Sequence, residues 1–316
     1  MALLRSVGLL RPFLAVARAG NLSTAARELA VSQPALTKSV RKLEQHFGVA
    51  LFERRARGMT LTPTGAALLT HARLSEAQCR FADAEIEALA NGAAGTIRIG
   101  AGPYWGPTLV PIAVARLQSR FPRLRVDLEV GVNTITLPKL FAGDLDLVMS
   151  ALPDPTALPA GIAMEDFGEF HLRVVAGDQH PLHRKRRVTA ADLARYAWVL
   201  YQHDADTLGK LTHVMQSAGA APPSVVVVTT SLHAVMQFLK SGPYLACLAD
   251  AYLRAMPEPG IGIVPFQRNI WSFPSGALYH ASVRTFAPIS ALLAALHELS
   301  PEKPRKSRTP RARRSS

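Results

Sequence analysis

Gln33, Thr37, Lys38, Arg41, Lys42 and Gln45 are the side chains with the most specific chemistry to offer in this chain. Amide and hydroxyl tips come first, and cations follow. Leu36, Val40, Leu43 and Phe47 interleave with them at spacings of four, three and four, the period of a helix buried along one side. With those apolar residues turned inward, the polar set becomes one outward face. Such a face carries no nucleophile beside a base, so it points to recognition and not to covalent catalysis. Its tips can hydrogen-bond to base edges in a major groove, and its cations can grip phosphates.

The flanking residues would hold that helix in place. Residues 21–40 read as two short helices joined by a tight turn. Ser23 is expected to cap the first, whose apolar side is Ala26, Leu29 and Ala30. Ser32 is expected to cap the second by accepting first-turn amide hydrogens. Pro34 falls where a missing N–H costs little. Upstream, Leu10, Phe13, Leu14 and Ala17 form a helical stripe ended by Gly20. Downstream, residues 50–54 and 59–62 read as a hairpin turning at Arg57-Gly58. Thr62-Pro63-Thr64 then opens a long helix without a further breaker until Asn91-Gly92. Along it Leu68, Ala72, Ser75, Cys79, Ala82, Ile86 and Leu89 alternate spacings of four and three, a heptad seam that predicts dimerisation. Cys79 reads there as a small apolar residue and not as a redox sensor.

Charge divides the chain in the same way. The formal net charge is +13 over 316 residues. Residues 1–62 hold ten Lys/Arg against three Asp/Glu, and the Pro/Arg/Lys/Ser tail 301–316 holds seven against one. The long middle, 91–300, is nearly balanced, with seventeen against fifteen. A basic module joined to a neutral one suits a nucleic-acid reader attached to a domain with another ligand. The tail lacks apolar content and is expected to be disordered. Two cysteines, Cys79 and Cys247, exclude a disulfide framework. No transmembrane run or signal peptide is read, and the cytoplasm is the expected compartment. A Gly-rich phosphate loop, a nucleophile elbow and a metal cluster are all missing from the sequence, so no catalytic residue, cofactor or metal is expected.

From Thr96 the pattern becomes alternating strand and helix. Strands fit 96–100, 125–130, 146–150, 172–176, 198–200, 225–229, 244–248 and 261–266, with helices between them, including 107–121, 134–142, 231–240 and 289–299. Repeated strand–helix–strand units give a doubly wound α/β fold. Ligands in such sheets bind beyond the carboxyl ends of the strands. The candidates are therefore Gly102, Tyr104, Trp105, Asn133, Thr134 and Ser150, with Tyr201, Ser231 and Tyr244 from the later strands. Helix starts near Thr134 and Ser231 favour an anionic group. Tyr104 and Trp105 either stack on a ring or sugar or pack under their loop. The basic run 184–187 reads as a solvated loop.

The segment Ser32-Gln-Pro-Ala-Leu-Thr37, with Leu51-Phe-Glu-Arg54 and Thr62-Pro-Thr-Gly65 at matching distances, resembles the DNA-binding domain of LysR-type transcriptional regulators. Gly143-Asp-Leu-Asp-Leu147 resembles that family's effector domain, itself similar to periplasmic solute-binding proteins. The resemblance implies an α/β protein with an all-α/winged-helix N-terminal domain. A winged helix-turn-helix would span 1–62, with its motif at 21–40, and a linker and dimerisation helix would span 63–92. A two-lobed effector domain would span 95–300, with lobe I at 95–165 plus 269–300 and lobe II at 166–268. By the same resemblance Gln33 and Thr37 face base edges, and Pro34 and Ala35 touch thymine methyls. Ser23, Ser32, Lys38 and Arg41 meet phosphates, Arg57 enters the minor groove from the wing tip, and Arg54 either joins it or braces the wing. Thr37 and Lys38 stand where relatives often carry Ser and Arg, which leaves the preferred sequence open. Leu137-Pro138 and Leu140 resemble the branch that answers to aromatic acids or sugars.

These readings combine into a transcription factor whose partners are double-stranded DNA and a small-molecule effector. It would form a homodimer through linker helices and a homotetramer through effector domains, without a membrane partner. The competing reading is an architectural DNA-binding protein whose C-terminal domain only oligomerises.

Overall fold

The computed structural model describes residues 7–55, 58–91, 95–159, 161–201 and 205–300. Helices α1 (Val7–Ala19), α2 (Leu22–Glu28) and α3 (Gln33–Phe47) pack with a hairpin, β1 (Phe52–Arg55) and β2 (Gly58–Leu61). Phe13, Ala25, Leu36, Leu43 and Leu51 form a sealed core among them. Ser32 caps α3, its Oγ accepting from the Ala35 N–H at 3.3 Å. Gly48 ends that helix at φ 70°, a left-handed conformation that favours glycine.

The cap of α2 differs from the expected one. Asn21, and not Ser23, accepts from the Thr24 N–H, at 2.7 Å. Starting the helix at Leu22 turns its buried side to Ala25 and Ala26. Leu29 becomes the half-buried C-cap, and Ala30 is exposed with φ 54°.

The linker helix α4 (Pro63–Asn91) opens where Thr62 Oγ1 accepts from Gly65 N–H at 3.0 Å. Its heptad stripe does not stay on one surface. Leu68 and Ala72 are buried in the winged-helix core, whereas Cys79, Ala82 and Ile86 are exposed. A second stripe, Ala77 and Phe81, is buried against the C-terminal domain, where the Phe81 and Phe286 rings lie 5.1 Å apart. Arg73 pairs with Asp144 at 3.8 Å and Arg80 with Asp146 at 3.3 Å. Burial pushes the Asp146 carboxyl up, against the Arg98 amide and the Arg80 guanidinium, which pull it down.

The C-terminal domain holds β3 (Thr96–Ala101), α5 (Leu109–Arg120), β4 (Arg125–Val130), α6 (Asn133–Phe141), β5 (Leu147–Ala151) and β6 (Ile162–Gly177). They are followed by α7 (Ala190–Leu193), β7 (Ala197–Tyr201), α8 (Ala205–Ser217), β8 (Ser224–Thr229), α9 (Leu232–Ser241), β9 (Tyr244–Ala249) and α10 (Asp250–Ala255). The last elements are β10 (Ile261–Ile263), β11 (Trp271–His280) and α11 (Ala287–Leu299). One sheet runs β4-β3-β5-β11-β6-β9-β7-β8, with β10 beside β6.

Its ends are parallel, β3 with β4 and β5, and β7 with β8 and β9. Its centre is antiparallel, because β6 and β11 run against each other and against their outer neighbours. The sequence pattern marks only 172–176 of β6 and none of β11. Pro274 and Gly276 interrupt β11's pattern, yet Ser275–His280 is buried throughout. These two long strands join two lobes, one built on β3, β4 and β5 and the other on β7, β8 and β9. No helix among the described residues is long and apolar enough to cross a membrane. Arg57, Gly92 and the tail 301–316 lie outside the described residues.

Candidate nucleic-acid interface and inter-lobe cleft

The exposed side of α3 gathers Gln33, Pro34, Thr37, Lys38, Arg41, Lys42 and Gln45 around one shallow concavity. Leu36, Val40 and Leu43 anchor the opposite side. The helix amide dipoles favour anions near the start of α3, and the cations extend that preference along the groove face. Ala35 is exposed beside Pro34, so both can supply apolar contact. Ser32 Oγ accepts within its own cap, which leaves its proton to donate outward. Ser23 turns toward α3, its Oγ donating to Gln33 Oε1 at 3.1 Å.

The hairpin is tied to this helix. Glu44 Oε1 accepts from the Leu51 and Phe52 amides at 2.9 and 3.3 Å. Arg54 is exposed on β1, opposite Met59, and Arg55 pairs with Glu53 at 2.8 Å. The wing strands begin and end where the pattern places them to within two residues.

The second site lies between the lobes. Gly102, Pro103, Tyr104, Trp105, Val132, Asn133, Thr134, Ser150 and Ala151 line it from lobe I. Thr207 lines it from α8, and Trp271, Phe273 and Ser275 from β11. A hydrogen-bond chain makes the floor. Trp105 Nε1 donates to Ser275 Oγ at 2.7 Å, and Ser275 Oγ donates to the Ser150 carbonyl at 2.9 Å. Trp105 is 2% exposed, stacks on Phe170 at 5.4 Å and meets Phe167 edge-on. It is therefore floor and not a mobile stacking platform. Tyr104 is half-buried and stands at the wall.

Asn133 Nδ2 donates to the Ala151 carbonyl at 2.8 Å, pinning the start of α6 to the end of β5. The N-cap of α6, Val132, offers no side-chain acceptor; its carbonyl takes the Ile135 and Thr136 amides at 2.9 and 3.0 Å, which leaves the Asn133 and Thr134 amides beside the exposed Thr134 hydroxyl. That arrangement can hold an anionic oxygen.

Three other candidates separate from this cluster. Tyr201 lies in an adjoining recess with Tyr104, Thr207 and Leu248. Ser231 caps α9, its Oγ accepting from Ala234 N–H at 3.2 Å. It is exposed after β8, the outermost strand, and does not line the cleft. Tyr244 starts β9 beside Ala197 at the start of β7, so it sits at the amino ends of these parallel strands. The crevice lies at the opposite ends, and Tyr244 packs instead near Phe238. Trp271, Phe273 and Ser275 were not expected, because the strand that carries them was not. Thr207 begins the inward side of α8 and had no local signal.

Behind the floor, Glu165 on β6 accepts from Tyr279 and from His297 Nε2, the latter at 2.9 Å, and Arg284 lies 3.3 Å away. Burial alone would raise the Glu165 carboxyl. The hydrogen bonds and Arg284 outweigh it and hold the group below its ordinary value. Burial and the same bond push the Tyr279 phenol up to about 12. His297 stacks on Phe167 at 4.0 Å, so this network braces the floor from outside.

Comparison with known proteins agrees with both halves. Residues 7–66 match the family described as "Bacterial regulatory helix-turn-helix protein, lysR family", and residues 90–301 match "LysR substrate binding domain". The chain is 29% identical over 295 residues to the transcriptional regulator PcaQ of Agrobacterium fabrum, covering 93% of this chain and 94% of that protein. It is 29% identical over 248 residues to the regulator CysL of Bacillus subtilis, covering 78% and 81%. Among solved structures, a full-length OxyR variant from Pseudomonas aeruginosa superposes with TM-score 0.66 and 25% identity, covering 92% and 94% of the two chains. CbnR, a LysR family regulator, shares the fold with TM-score 0.60 and 20% identity, covering 94% and 99%.

Proposed function

The chain belongs to the LysR family of transcriptional regulators, DNA-binding proteins with a substrate-binding domain and not enzymes, and we propose that α3 reads its operator while an anionic effector between the lobes sets the response. The observation that carries this reading is the single outward face of Gln33, Thr37, Lys38, Arg41, Lys42 and Gln45, held by a buried stripe one helix side away. Gln33 and Thr37 address base edges, with Pro34 and Ala35 beside them. Ser32, Lys38 and Arg41 hold phosphates, and Arg54 with Arg57 serve the wing. A domain matched over 90–301 as substrate-binding favours a regulator over a purely architectural protein. DNA as partner makes the cytoplasm its working compartment.

In the cleft, the α6 amides and Thr134 receive an anionic group, Asn133 and Ser150 set its position, and Tyr104 covers it. The space in this structure is about 100 Å³, below the roughly 300–1,000 Å³ of usual ligand sites. The lobes therefore separate to admit the effector, and its differential affinity for the two arrangements is what shifts the DNA-binding heads. Subunits pair through the exposed half of the seam, Cys79, Ala82 and Ile86. Apolar side chains on the two outer edges, Leu128 and Val130 at one and Val226 and Val228 at the other, supply further surfaces for tetramers.

One binding series tests the reading. Lys38→Ala and Arg41→Ala should weaken all DNA and lower the salt slope by about one unit each. Thr134→Val should shift the effector response roughly 5–150-fold, the equivalent of about 1–3 kcal/mol for an oxygen left unpaired, without changing effector-free DNA affinity. An unchanged effector titration removes Thr134 from the site. Ile86→Glu should split dimers by placing like charges across the seam, and an unchanged mass by light scattering would show that α4 does not pair there.

A further inference from the structure

Ser23 and Gln33 stand on different helices, and their side chains meet. Ser23 Oγ donates to Gln33 Oε1 at 3.1 Å. Both attachment points are held by caps, Asn21 on α2 and Ser32 on α3. The contact therefore follows from the turn between the helices. It sits at the start of α3, on the face that carries Thr37, Lys38 and Arg41.

A glutamine amide has one acceptor oxygen and two N–H donors. Bidentate reading of adenine uses both kinds: a donor to N7 and an acceptor for N6. Here the serine hydroxyl takes one of the two lone pairs of Oε1 and draws that oxygen toward α2, so the half of the amide turned outward is Nε2. We propose that Ser23 is a positioning residue that turns Gln33 Oε1 toward α2 and presents Nε2, whose N–H donors match the acceptor pair of guanine or the O4 of thymine better than adenine, which sets a donor beside its one acceptor, at one operator position. This assigns Ser23 a role different from the phosphate contact that the family resemblance implies for it. The inference rests on Gln33 reading a base.

The test is selection of binding sites from a random duplex library by the full-length protein, followed by titration of the selected duplex at several salt concentrations. Wild type should prefer guanine or thymine over adenine at one position. Ser23→Ala should reduce that preference roughly 2–10-fold, the value of one neutral hydrogen bond, with other positions and the salt slope unchanged. Ser23→Thr keeps the hydroxyl and should keep the preference, and Gln33→Ala should erase it at the same position. Alanine is a stronger helix former than serine, so folding of Ser23→Ala is not at issue.

A uniform loss on every sequence with a salt slope lower by about one unit would make Ser23 a phosphate ligand and overturn the proposal. Unchanged base preferences in Ser23→Ala, or an adenine preference in wild type, overturn it equally. Unchanged preferences in Gln33→Ala overturn instead the assignment of Gln33 as a base reader, an outcome separable from failure of Ser23 alone.

Discussion

The winged helix and the inter-lobe cleft position their working groups over very different distances along the chain. The proposed DNA face is one helix, and its neighbour contact, Ser23 to Gln33, spans ten residues. The cleft's central bond, Trp105 to Ser275, spans 170. A face on one helix needs only a small core beneath it and sound caps at its ends. A cleft built where strands cross needs the register of the whole sheet. The first site should therefore be sensitive to local packing and indifferent to events in the sheet, and the second should show the reverse.

Core and sheet substitutions can break that contrast. Leu43 is fully buried on the inner side of α3, and Leu43→Ala should cost about 2–5 kcal/mol. Calorimetry should show the winged-helix transition falling and DNA binding lost, with the effector-domain transition in place. Gly276 sits where a Cβ would come within 2.0 Å of the Glu165 carbonyl on the neighbouring strand. Gly276→Ala should push β6 and β11 apart at a cost of about 1–3 kcal/mol, shift the effector titration and leave effector-free DNA affinity intact. If either substitution lowers both transitions together, the two regions do not fold independently and the comparison fails.

A smaller effect sharpens it. The Glu165 carboxyl is held below its ordinary value, so it stabilises the fold above the unfolded pKa, and that contribution is lost as pH falls through the depressed folded value. Glu165→Gln should lower effector-domain stability by about 1–3 kcal/mol near neutrality. The gap between mutant and wild type should close as pH drops below the ordinary value of 4.5. A gap independent of pH would mean that charge at Glu165 contributes nothing.

The amino-acid sequence by itself determined the recognition helix, its outward face, the Ser32 cap, the wing and the start of the linker helix. Each depends on periodicity or hydrogen bonds within a few residues, and such signals do not need the rest of the fold. Even there it missed that Asn21 caps α2, because Asn21 and Ser23 are both good capping residues and only the packed position of Ala25 and Ala26 chooses between them. It also marked the lobe I half of the cleft, Gly102 to Trp105, Asn133, Thr134 and Ser150, since these follow strands that read clearly.

Tertiary structure alone decided the rest. Ser231 and Tyr244 follow or begin legible strands, but strand order and direction put one at the outer edge and the other at the far ends. Pro274 and Gly276 disguise β11 as a loop, and pairing with β5 and β6 makes it the central strand that carries Ser275. The heptad period of α4 is plain in the sequence. Which of its turns face the protein's own core and which stay exposed was set by where the two domains dock, because an apolar stripe encodes burial without naming what will bury it.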